Sequence, residues 1–335
     1  MKPEINNSGG PRIVITGARG YIGGALVRRL AQTPCTLRLV SRSSLPAPAA
    51  AAGQANVEHV AADLSNERSW SDLLADADAV IHLSSRTDLR AAEADPAGDE
   101  SINVEPVRAL VRAARLKPAQ TRIVFASAVT IVGDRHANPV GESTPDNPCS
   151  VYDRHKLACE SLLRDATQQG LLRARSLRLS NVYGYGGASI NSNRGILNAM
   201  MERAARGEPL TLYGDGSYIR DFVHLDDVVE AFCLAAASDR VCNGNAYVIA
   251  SGCGYSLAEA FNRVANEARR VLHRAPEIRH VAEPAGLHPI ERRNFIGNPS
   301  LFGGRTGWRA KIDLEAGIHD YFVRLAARPA LAADR

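Results

Sequence analysis

The sequence lacks any run of about 18 apolar residues, the length that a membrane-spanning helix needs. Its first residues, Met1–Pro11, are polar and contain glycine, without the apolar stretch of a signal peptide. We therefore expect no membrane span, and we expect residues 1–10 to form a disordered leader.

The six cysteines form no Cys-x-x-Cys pair, and none stands at zinc-ligand spacing with a histidine. The sequence therefore predicts no metal site. Single cysteines scattered through a chain of 335 residues are typical of reduced thiols, which favours the cytoplasm. They are Cys35, Cys149, Cys159, Cys233, Cys242 and Cys253.

A concentrated positive charge is also missing. The formal net charge is only +4, and no basic block of the kind that binds nucleic acid occurs. Nucleic-acid binding is therefore disfavoured. A hydrophobic fraction of 45% in 335 residues predicts a globular protein with one large domain or two smaller ones.

Short apolar runs alternate with helical patterns in the first half of the chain, beginning with Ile13-Val14-Ile15. This alternation predicts a parallel sheet covered by helices on both faces, the doubly wound Rossmann type of α/β fold. The predicted strands are 12–16, 36–41, 57–61, 79–83, 122–126 and 175–179, and the predicted helices are 20–32, 67–74, 101–115 and 150–169.

Beyond residue 183 the pattern changes to short strands and loops rich in glycine and asparagine. We expect residues 11–183, with about 220–254, to form the main domain, and the strand near 246–249 to return to its sheet. Residues 184–219 and 255–330 are expected to form a smaller C-terminal α/β lobe. The helices predicted after residue 183 lie near 195–206, 226–237, 257–272 and 313–326.

A glycine-rich turn, Thr16–Gly23, follows the first predicted strand and opens the first predicted helix. Glycine lets the backbone approach a pyrophosphate, and the helix N-terminus offers unpaired N–H groups and the positive end of its dipole. This context predicts dinucleotide binding by the main domain, with a tight structural turn as the alternative. The candidate cofactor residues are Gly17, Arg19, Gly20, Tyr21, Ile22 and Gly23.

The end of the second predicted strand, Val40-Ser41-Arg42-Ser43, has no acidic residue to accept a hydrogen bond from the ribose 2′-hydroxyl of NAD. Arginine and serine bind a 2′-phosphate, whereas a carboxylate would repel it. We therefore expect Ser41, Arg42 and Arg19 to favour NADP(H), with NAD(H) as the alternative. In the other interpretation, both arginines are solvated surface charges.

Two further strand ends supply candidate cofactor contacts. Asp63-Leu64 follows the third predicted strand and either contacts adenine or caps a helix. Leu83, Ser84 and Ser85 end the fourth predicted strand, where small residues allow a cofactor to approach closely.

Tyr152 and Lys156 stand four residues apart, a spacing that brings them to one face of a helix. A free tyrosine has a pKa of about 10, and a nearby ammonium favours its phenolate. The phenolate can take a proton from a hydroxyl as hydride leaves carbon, and the phenol can return that proton in the reverse direction. Tyr152 and Lys156 are therefore the candidate catalytic pair, with Lys156 also holding the nicotinamide ribose. His155 is expected to be an exposed or supporting helix residue.

These motifs resemble the extended short-chain dehydrogenase/reductases, a family that includes nucleotide-sugar epimerases, 4,6-dehydratases and reductases. The likeness runs from Ile13 to about Gly317. It adds Asn103-Val104, which the resemblance places in the cofactor site, and Leu179–Gly184. The segment from Tyr213 to Asp227 is similar to the stretch that marks the nucleotide-sugar enzymes of the family. The resemblance implies NAD(P) dependence and a C-terminal lobe that binds a nucleotide-diphosphate sugar.

By the same resemblance, Asn181 and Arg220 would contact the diphosphate of the substrate. The alternative for Arg220 is an ion pair with Asp221 or Asp226. Tyr213 would stack near the base or simply pack. The remaining candidates are a phosphate contact by Arg292 or Arg293, a hairpin turn at Asp215-Gly216, and a helix cap by Asp226 or Asp227.

The resemblance also implies a homodimer in which the helices at about 101–116 and 150–169 pair with their copies. Leu110, Leu157 and Leu162 are candidate interface residues, although burial within one subunit would explain them equally well.

One position departs from the family pattern. Ala128 stands where the family usually has a catalytic serine or threonine, so either Ser127 or Thr130 takes over that role, or Tyr152 acts alone. The family's dehydratases carry an acidic residue nearby, but Val129 and Thr130 are not acidic, which disfavours dehydration.

We therefore expect an NADPH-dependent reductase of a keto-sugar carried on a nucleotide diphosphate. The first alternative is a nucleotide-sugar 4-epimerase with tightly bound NAD(P). The second alternative is a non-catalytic NADP sensor or scaffold, which the retained Tyr152 and Lys156 disfavour.

Overall fold

The computed structural model describes residues 10–43, 53–116, 120–134, 136–186 and 195–327. Residues 1–9 of the predicted leader and residues 44–52 of the chain lie outside the described part. All of the predicted strands and helices lie within these described ranges.

Twelve strands occur in the described part of the chain. They are β1 (Arg12–Thr16), β2 (Thr36–Ser41), β3 (Asn56–Ala61), β4 (Ala79–His82), β5 (Arg122–Ala128), β6 (Arg173–Leu179), β7 (Asn181–Tyr183), β8 (Leu210–Tyr213), β9 (Ile219–His224), β10 (Ala246–Ile249), β11 (Gly254–Ser256) and β12 (Ile278–Val281).

Eleven α-helices connect them within the same described ranges. They are α1 (Tyr21–Leu30), α2 (Glu67–Leu74), α3 (Leu89–Ala94), α4 (Pro96–Asn103), α5 (Glu105–Leu116), α6 (Val151–Gln168), α7 (Ile196–Arg206), α8 (Leu225–Ala237), α9 (Leu257–Leu272), α10 (Ser300–Thr306) and α11 (Leu314–Ala326). None of these helices combines the length and the apolar composition that crossing a bilayer requires.

Seven strands form the main sheet in the order β10-β6-β5-β4-β1-β2-β3. β1 pairs in parallel with β2 and β4, and the pairs β2–β3 and β4–β5 are also parallel. The apolar run of β1 is buried because helices cover the sheet on both faces. The predicted doubly wound α/β fold is confirmed, including the return of the strand at 246–249.

The predicted helix 101–115 is wrong in one respect, because the segment forms two helices, α4 and α5, that are separated at Val104. Pro106 in the first turn of α5 has no N–H to donate to a carbonyl oxygen of the preceding turn, which interrupts the helical hydrogen bonds between α4 and α5. α3 and the N-terminal part of α4 were not predicted. Asp88 and Asp95 cap them by accepting hydrogen bonds from the backbone N–H groups of Ala91 and Gly98.

The chain divides into two compact units. The first contains the described residues of Met1–Ser127, Ser150–Leu177 and Phe232–Ala246. Its core is formed by side chains of the sheet and of α2, α5 and α6, such as Val14, Trp70 and Leu110. These boundaries differ from the division into main domain and lobe stated above, which stays a prediction.

The second unit contains the described residues of Ala128–Cys149, Arg178–Ala231 and Tyr247–Arg335. Its larger core is formed by α7, α9 and α11 against β8 and β9. The predicted hairpin at Asp215-Gly216 is wrong, because β8 pairs with β12 and β9 pairs with β7 and β11. A tight turn does form, since the Gly216 N–H donates to the Tyr213 carbonyl over 3.2 Å, but it redirects the chain between two different sheets.

Candidate active site

The glycine turn of the first unit tolerates no side chain at two of its positions. Gly17 has a φ of +69°, and a Cβ there would lie 2.8 Å from the backbone nitrogen of Ser84. A Cβ on Gly23 would collide with the carbonyl oxygen of Gly17. The turn is therefore closed by backbone packing against the end of β4, which only glycine permits.

The N-terminus of α1 begins directly after this turn. Gly20 is the N-cap residue and has no side chain to cap the helix, and the first turn contains no acidic residue. The N–H groups of that turn are thus not occupied by a side-chain cap, and the positive end of the helix dipole is not neutralised. Tyr21 is buried and Ile22 is half-buried, so both anchor α1 to the unit.

The end of β2 carries the residues that were predicted to distinguish NADP from NAD. The Ser41 hydroxyl donates to the Ser43 carbonyl oxygen over 2.6 Å. Arg42 is exposed and Arg19 is half-buried, and within the described residues neither guanidinium forms a hydrogen bond or an ion pair. Arg38, in contrast, pairs with Glu58 and Asp76. Arg19 and Arg42 therefore form no ion pair in that part of the chain, although the charge of Arg42 contributes to lowering the pKa of the Asp63 carboxyl.

Asp63 and Leu64 form the turn after β3. The Asp63 carboxylate accepts hydrogen bonds from the backbone N–H and the hydroxyl of Ser65, which hold its pKa below the usual range. Asn66, not Asp63, caps α2 by accepting from the Arg68 N–H. The helix-cap interpretation of Asp63 is therefore wrong, and its contact with adenine stays a prediction.

Thr16 and His82, neither of which was predicted as a site residue, fix the ends of β1 and β4. The buried Thr16 hydroxyl oxygen accepts hydrogen bonds from the N–H groups of Leu83 and Ser84, and it lies 2.8 Å from His82 Nδ1. Burial, with a contribution from the Lys156 charge, lowers the pKa of His82 to about 3. This neutral imidazole stacks on Phe125, so the strand ends beside the glycine turn are rigidly held.

Tyr152 and Lys156 lie on the first two turns of α6, whose N-cap Ser150 accepts a hydrogen bond from the Asp153 N–H over 3.0 Å. The Lys156 ammonium donates to the Ala126 carbonyl oxygen over 2.8 Å and lies 5.6 Å from the centre of the Tyr152 ring. The helical spacing thus brings the predicted pair together.

Burial lowers the pKa of Lys156 to about 8, although the nearby carboxylates of Asp99 and Glu160 oppose this effect. The ammonium is therefore still predominantly charged at neutral pH. A cation beside a phenol favours the phenolate, so the position of Lys156 is compatible with the acid–base role predicted for Tyr152.

Ser127 is not oriented as a free hydroxyl. It donates to Glu160 Oε1 over 2.6 Å, and both side chains are buried. Thr130, the other candidate substitute for the missing hydroxyl at Ala128, lies in a short 3₁₀ helix, Val129–Val132, of the second unit. Glu160 was missed by the sequence analysis, although it stands one helical turn beyond Lys156 on the same face of α6.

The predicted substrate residues belong to the second unit. Arg220 is buried and donates to the carbonyl oxygens of Ile219, Arg293 and Glu291. It forms no ion pair in the described part of the chain, so the alternative of a pair with Asp221 or Asp226 is wrong. Burial, together with the nearby charge of Arg293, lowers the pKa of Arg220 to about 9.

Asp221 and Asp227 bind backbone groups instead. Asp221 accepts from Ser251 and from the Gly252 and Gly297 N–H groups. The predicted cap by Asp226 or Asp227 is wrong, since α8 begins at Leu225 and Asp227 accepts from the N–H groups of Lys311 and Ile312.

The other predicted substrate residues differ in their exposure and in their hydrogen-bond partners. Asn181 donates to the Asp221 carbonyl oxygen over 3.1 Å, and Tyr213 is 39% exposed. Arg292 donates to Glu283 over 3.0 Å, whereas Arg293 is buried with its guanidinium on the Ile290 carbonyl oxygen. Because Glu283 already neutralises Arg292, that residue is the weaker of the two phosphate candidates.

The sequence model of the NAD dependent epimerase/dehydratase family matches residues 13–250. The chain belongs to this family. The resemblance to extended short-chain dehydrogenase/reductases is thereby confirmed, and the chain is an enzyme of that type.

Family members with assigned activities match this chain over most of their length. A dTDP-glucose 4,6-dehydratase of Mycolicibacterium smegmatis is 28% identical over 92% of this chain and 91% of its own. A UDP-glucose 4-epimerase of the same organism is 30% identical, with 92% and 96% covered. The GDP-6-deoxy-D-mannose reductase of Pseudomonas aeruginosa is 25% identical, with 92% and 94% covered.

A solved family structure, the UDP-glucose 4-epimerase of Thermus thermophilus in complex with NAD, is 25% identical. It superimposes with a TM-score of 0.78 over 94% of this chain and 99% of that chain. Its likeness supports both the fold and a nicotinamide dinucleotide as the family cofactor.

The dinucleotide that the family name implies fits the residues of this chain. The glycine turn leaves no room for side chains at Gly17 and Gly23, and α1 begins without a side-chain cap. Backbone amides presented in this way bind a pyrophosphate. The epimerase/dehydratase family contains three different activities among the relatives above, so membership fixes the chemical class and not the individual reaction.

Proposed function

We propose that this enzyme uses NADPH to reduce a keto group on the sugar of a nucleotide-diphosphate sugar. The observation that carries the proposal is the buried Lys156 ammonium 5.6 Å from the centre of the Tyr152 ring, one turn along α6. Relatives at 25–30% identity, named for nucleotide sugars, support the substrate class.

Tyr152 is the proton donor in this proposal. A bound nicotinamide dinucleotide would supply the hydride that the carbonyl carbon accepts. The phenol gives its proton to the developing alkoxide, so that a carbonyl becomes an alcohol and Tyr152 becomes a phenolate. Lys156 stabilises that phenolate by its charge, and it would hold the ribose next to the nicotinamide. Ser127, whose proton is donated to Glu160, supports the strand and takes no direct part.

The preference for NADPH rests on Arg19 and Arg42. Within the described residues neither guanidinium forms an ion pair, and no acidic residue directly follows β2 to repel a 2′-phosphate. Charge-assisted hydrogen bonds from arginine to phosphate are among the stronger polar contacts of proteins. NADH is the alternative, supported by the NAD in the Thermus thermophilus epimerase.

The diphosphate of the substrate is assigned to Arg220 and Asn181. A buried guanidinium that touches only carbonyl oxygens has a large unmet attraction for an anion. A diphosphate would satisfy it. Tyr213, being partly exposed, is proposed to lie near the nucleotide base.

A 4-epimerase with retained NAD(P) is the second candidate, favoured by the relative at 30% identity. The two activities differ in whether cofactor is consumed. Dehydration is disfavoured because Val129 and Thr130 supply no acidic group beside Ala128.

The test is a screen of UDP-, GDP-, dTDP- and CDP-linked sugars and their 4-keto forms. Stoichiometric oxidation of NADPH supports the reductase. Interconversion of UDP-glucose and UDP-galactose without added NADPH would replace it with the epimerase. Tyr152→Phe is expected to lose about 10²- to 10⁴-fold in turnover, whereas a sensor or scaffold would be unaffected by the change.

We also propose a cytoplasmic homodimer that pairs through α5 and α6. Leu110 is buried within one subunit and is therefore a core residue. Leu157 and Leu162, both only half-buried, remain candidate interface residues. Light scattering that shows a monomer at micromolar concentration would overturn the dimer.

A further inference from the structure

Asp99 is a buried carboxylate in α4 that the acid–base chemistry of Tyr152 and Lys156 does not use. None of its side chain is exposed. Its oxygens lie 3.1 Å from Arg86 Nε, 2.9 Å from Asn103 Nδ2 and 2.7 Å from His155 Nδ1. A carboxylate is kept in such a place only when it is fully hydrogen-bonded, so the three partners and Asp99 form one connected network.

The Asp99 carboxylate is ionised at neutral pH. Burial alone would raise its pKa, but the hydrogen bonds from His155, Asn103 and Arg86 outweigh burial and lower the pKa. An ionised carboxylate only accepts hydrogen bonds, so His155 Nδ1 is protonated and donates. The orientation of the His155 ring is thereby fixed.

His155 connects this network to the catalytic helix. It precedes Lys156 and follows Tyr152 by three residues, so its position sets the turn of α6 that carries both. A second carboxylate acts beside it, because Glu93 of α3 accepts a hydrogen bond from the Val151 N–H over 2.7 Å. Both acceptors, Glu93 and Asp99, lie in the helices α3 and α4. Of these two helices, only the C-terminal part of α4 was predicted from the sequence.

Asn103 connects the same network to the end of β4. Its Oδ1 accepts hydrogen bonds from the Ser85 hydroxyl and the Arg86 N–H, each over 2.8 Å, and its Nδ2 also donates to the Arg86 carbonyl oxygen. The strand end that was predicted to face the cofactor is therefore joined to α6 through Asn103, Asp99 and His155.

We propose that Asp99 is a positioning residue that, through His155 and Asn103, holds the Tyr152-bearing turn of α6 in register with the end of β4. This role rests on the proposed function, because it matters only if Tyr152 must meet a substrate beside the cofactor. The role proposed for Asp99 involves no direct contact with either.

Asp99→Asn is the informative change because it conserves shape. All three partners of Asp99 are donors, so an amide in either orientation turns its own N–H₂ toward a donor. Glu100→Gln is the matched control, since it removes the carboxylate of the next residue, whose side chain is 43% exposed and pairs with Arg108 on the helix surface.

The experiment compares kcat per bound NADPH, the KM of the sugar, and hydrogen exchange of the amides in α6. Counting turnover per bound cofactor removes any loss that is due merely to unfolded protein. For Asp99→Asn we expect kcat to fall about 10- to 100-fold, as expected of a misplaced reactive group. We expect NADPH affinity and KM to change less than about threefold and the first two turns of α6 to exchange faster. Glu100→Gln should match the wild type.

Two results would overturn the positioning role: unchanged kcat per cofactor, or unchanged exchange at residues 151–156. A failure of the proposed function looks different, since Tyr152→Phe would then match the wild type in turnover. In that case the exchange measurement still decides whether Asp99 holds α6.

Discussion

Ser127 donates its hydroxyl hydrogen to Glu160 over 2.6 Å, and both side chains are buried beside Lys156. The relationship matters because Ala128 removes the hydroxyl that the family usually provides and Ser127 is its nearest substitute. A hydroxyl whose proton is donated to a carboxylate cannot donate it to a substrate at the same time. This hydrogen bond therefore supports the proposal that Tyr152 is the proton donor.

Ser127→Ala should therefore act on stability more than on chemistry. Glu160 loses a buried hydrogen bond, which costs about 1–3 kcal/mol in the free energy of unfolding. Turnover should fall less than about tenfold when measured at a temperature where the variant is folded. Chemical denaturation and steady-state kinetics on the same preparation provide both values.

Ser161→Ala on the same helix is the control for this change. Its hydroxyl accepts a hydrogen bond from Arg164 and is only half-buried, so its loss should cost less than about 0.5 kcal/mol. If Ser127→Ala instead lost as much turnover as Tyr152→Phe, the Ser127 hydroxyl would belong to the chemistry.

Local motifs made the cofactor turn and the Tyr152–Lys156 pair predictable from sequence. Both depend only on the spacing of residues within one turn or one helix. Once that turn or helix forms, the spacing alone determines which residues lie together. Glu160 was equally accessible by that argument, because it continues the same face of α6. Glu160 was not predicted because a glutamate one helical turn from a lysine is not part of a recognised motif.

Contacts between distant segments could not be predicted. Asp99 meets His155 across 56 positions of sequence, and nothing local marks either residue as a partner. The turn at Asp215-Gly216 shows the same limit, since a tight turn is a local property but the strands it joins pair with other partners. The break between α4 and α5 was readable, because Pro106 marks it.

Lys156 should make stability depend on pH in a specific direction. Its pKa is about 8 in the folded chain, against 10.5 for the ordinary side chain. The folded state therefore binds fewer protons than the unfolded state between those values, so this group makes stability rise with pH there. Below pH 8 the buried charge is destabilising by about 3 kcal/mol, as the difference between the two pKa values implies.

Lys156→Met should remove this dependence. The difference in unfolding free energy between variant and wild type should be largest near pH 7 and should shrink between pH 8 and 10. Lys311→Met, at an exposed position, is the control and should show a constant difference. A Lys156→Met difference that did not change with pH would mean that the lysine titrates normally.

Arg42→Gln should change the preference between cofactors. If its guanidinium binds the 2′-phosphate, losing a charge-assisted hydrogen bond weakens the binding of NADPH by about 10- to 100-fold. The affinity for NADH should not change. Fluorescence titration with each dinucleotide measures the two dissociation constants. Arg68→Gln, an exposed arginine on α2, should alter neither. An equal loss of affinity for both cofactors would show that Arg42 does not contact the 2′-phosphate.

Arg220→Met should weaken the binding of the nucleotide sugar and leave the binding of the cofactor unchanged. The guanidinium is buried, it touches only carbonyl oxygens, and it lies in the second unit, whereas the glycine turn belongs to the first. If the charge binds the diphosphate, KM should rise about 10- to 100-fold for whichever nucleotide sugar is turned over. The dissociation constant of NADPH should stay within about twofold.

Arg292→Met is the comparison that makes the Arg220 result specific. Arg292 is exposed and already paired with Glu283 over 3.0 Å, so its loss should change KM less than about threefold. Arg220→Lys adds a second check, because it keeps the charge but loses the planar fork and should therefore fall between wild type and Arg220→Met. If Arg292→Met raised KM more than Arg220→Met, the diphosphate would lie on the exposed arginine, and the buried guanidinium of Arg220 would serve only to tie its three carbonyl oxygens together.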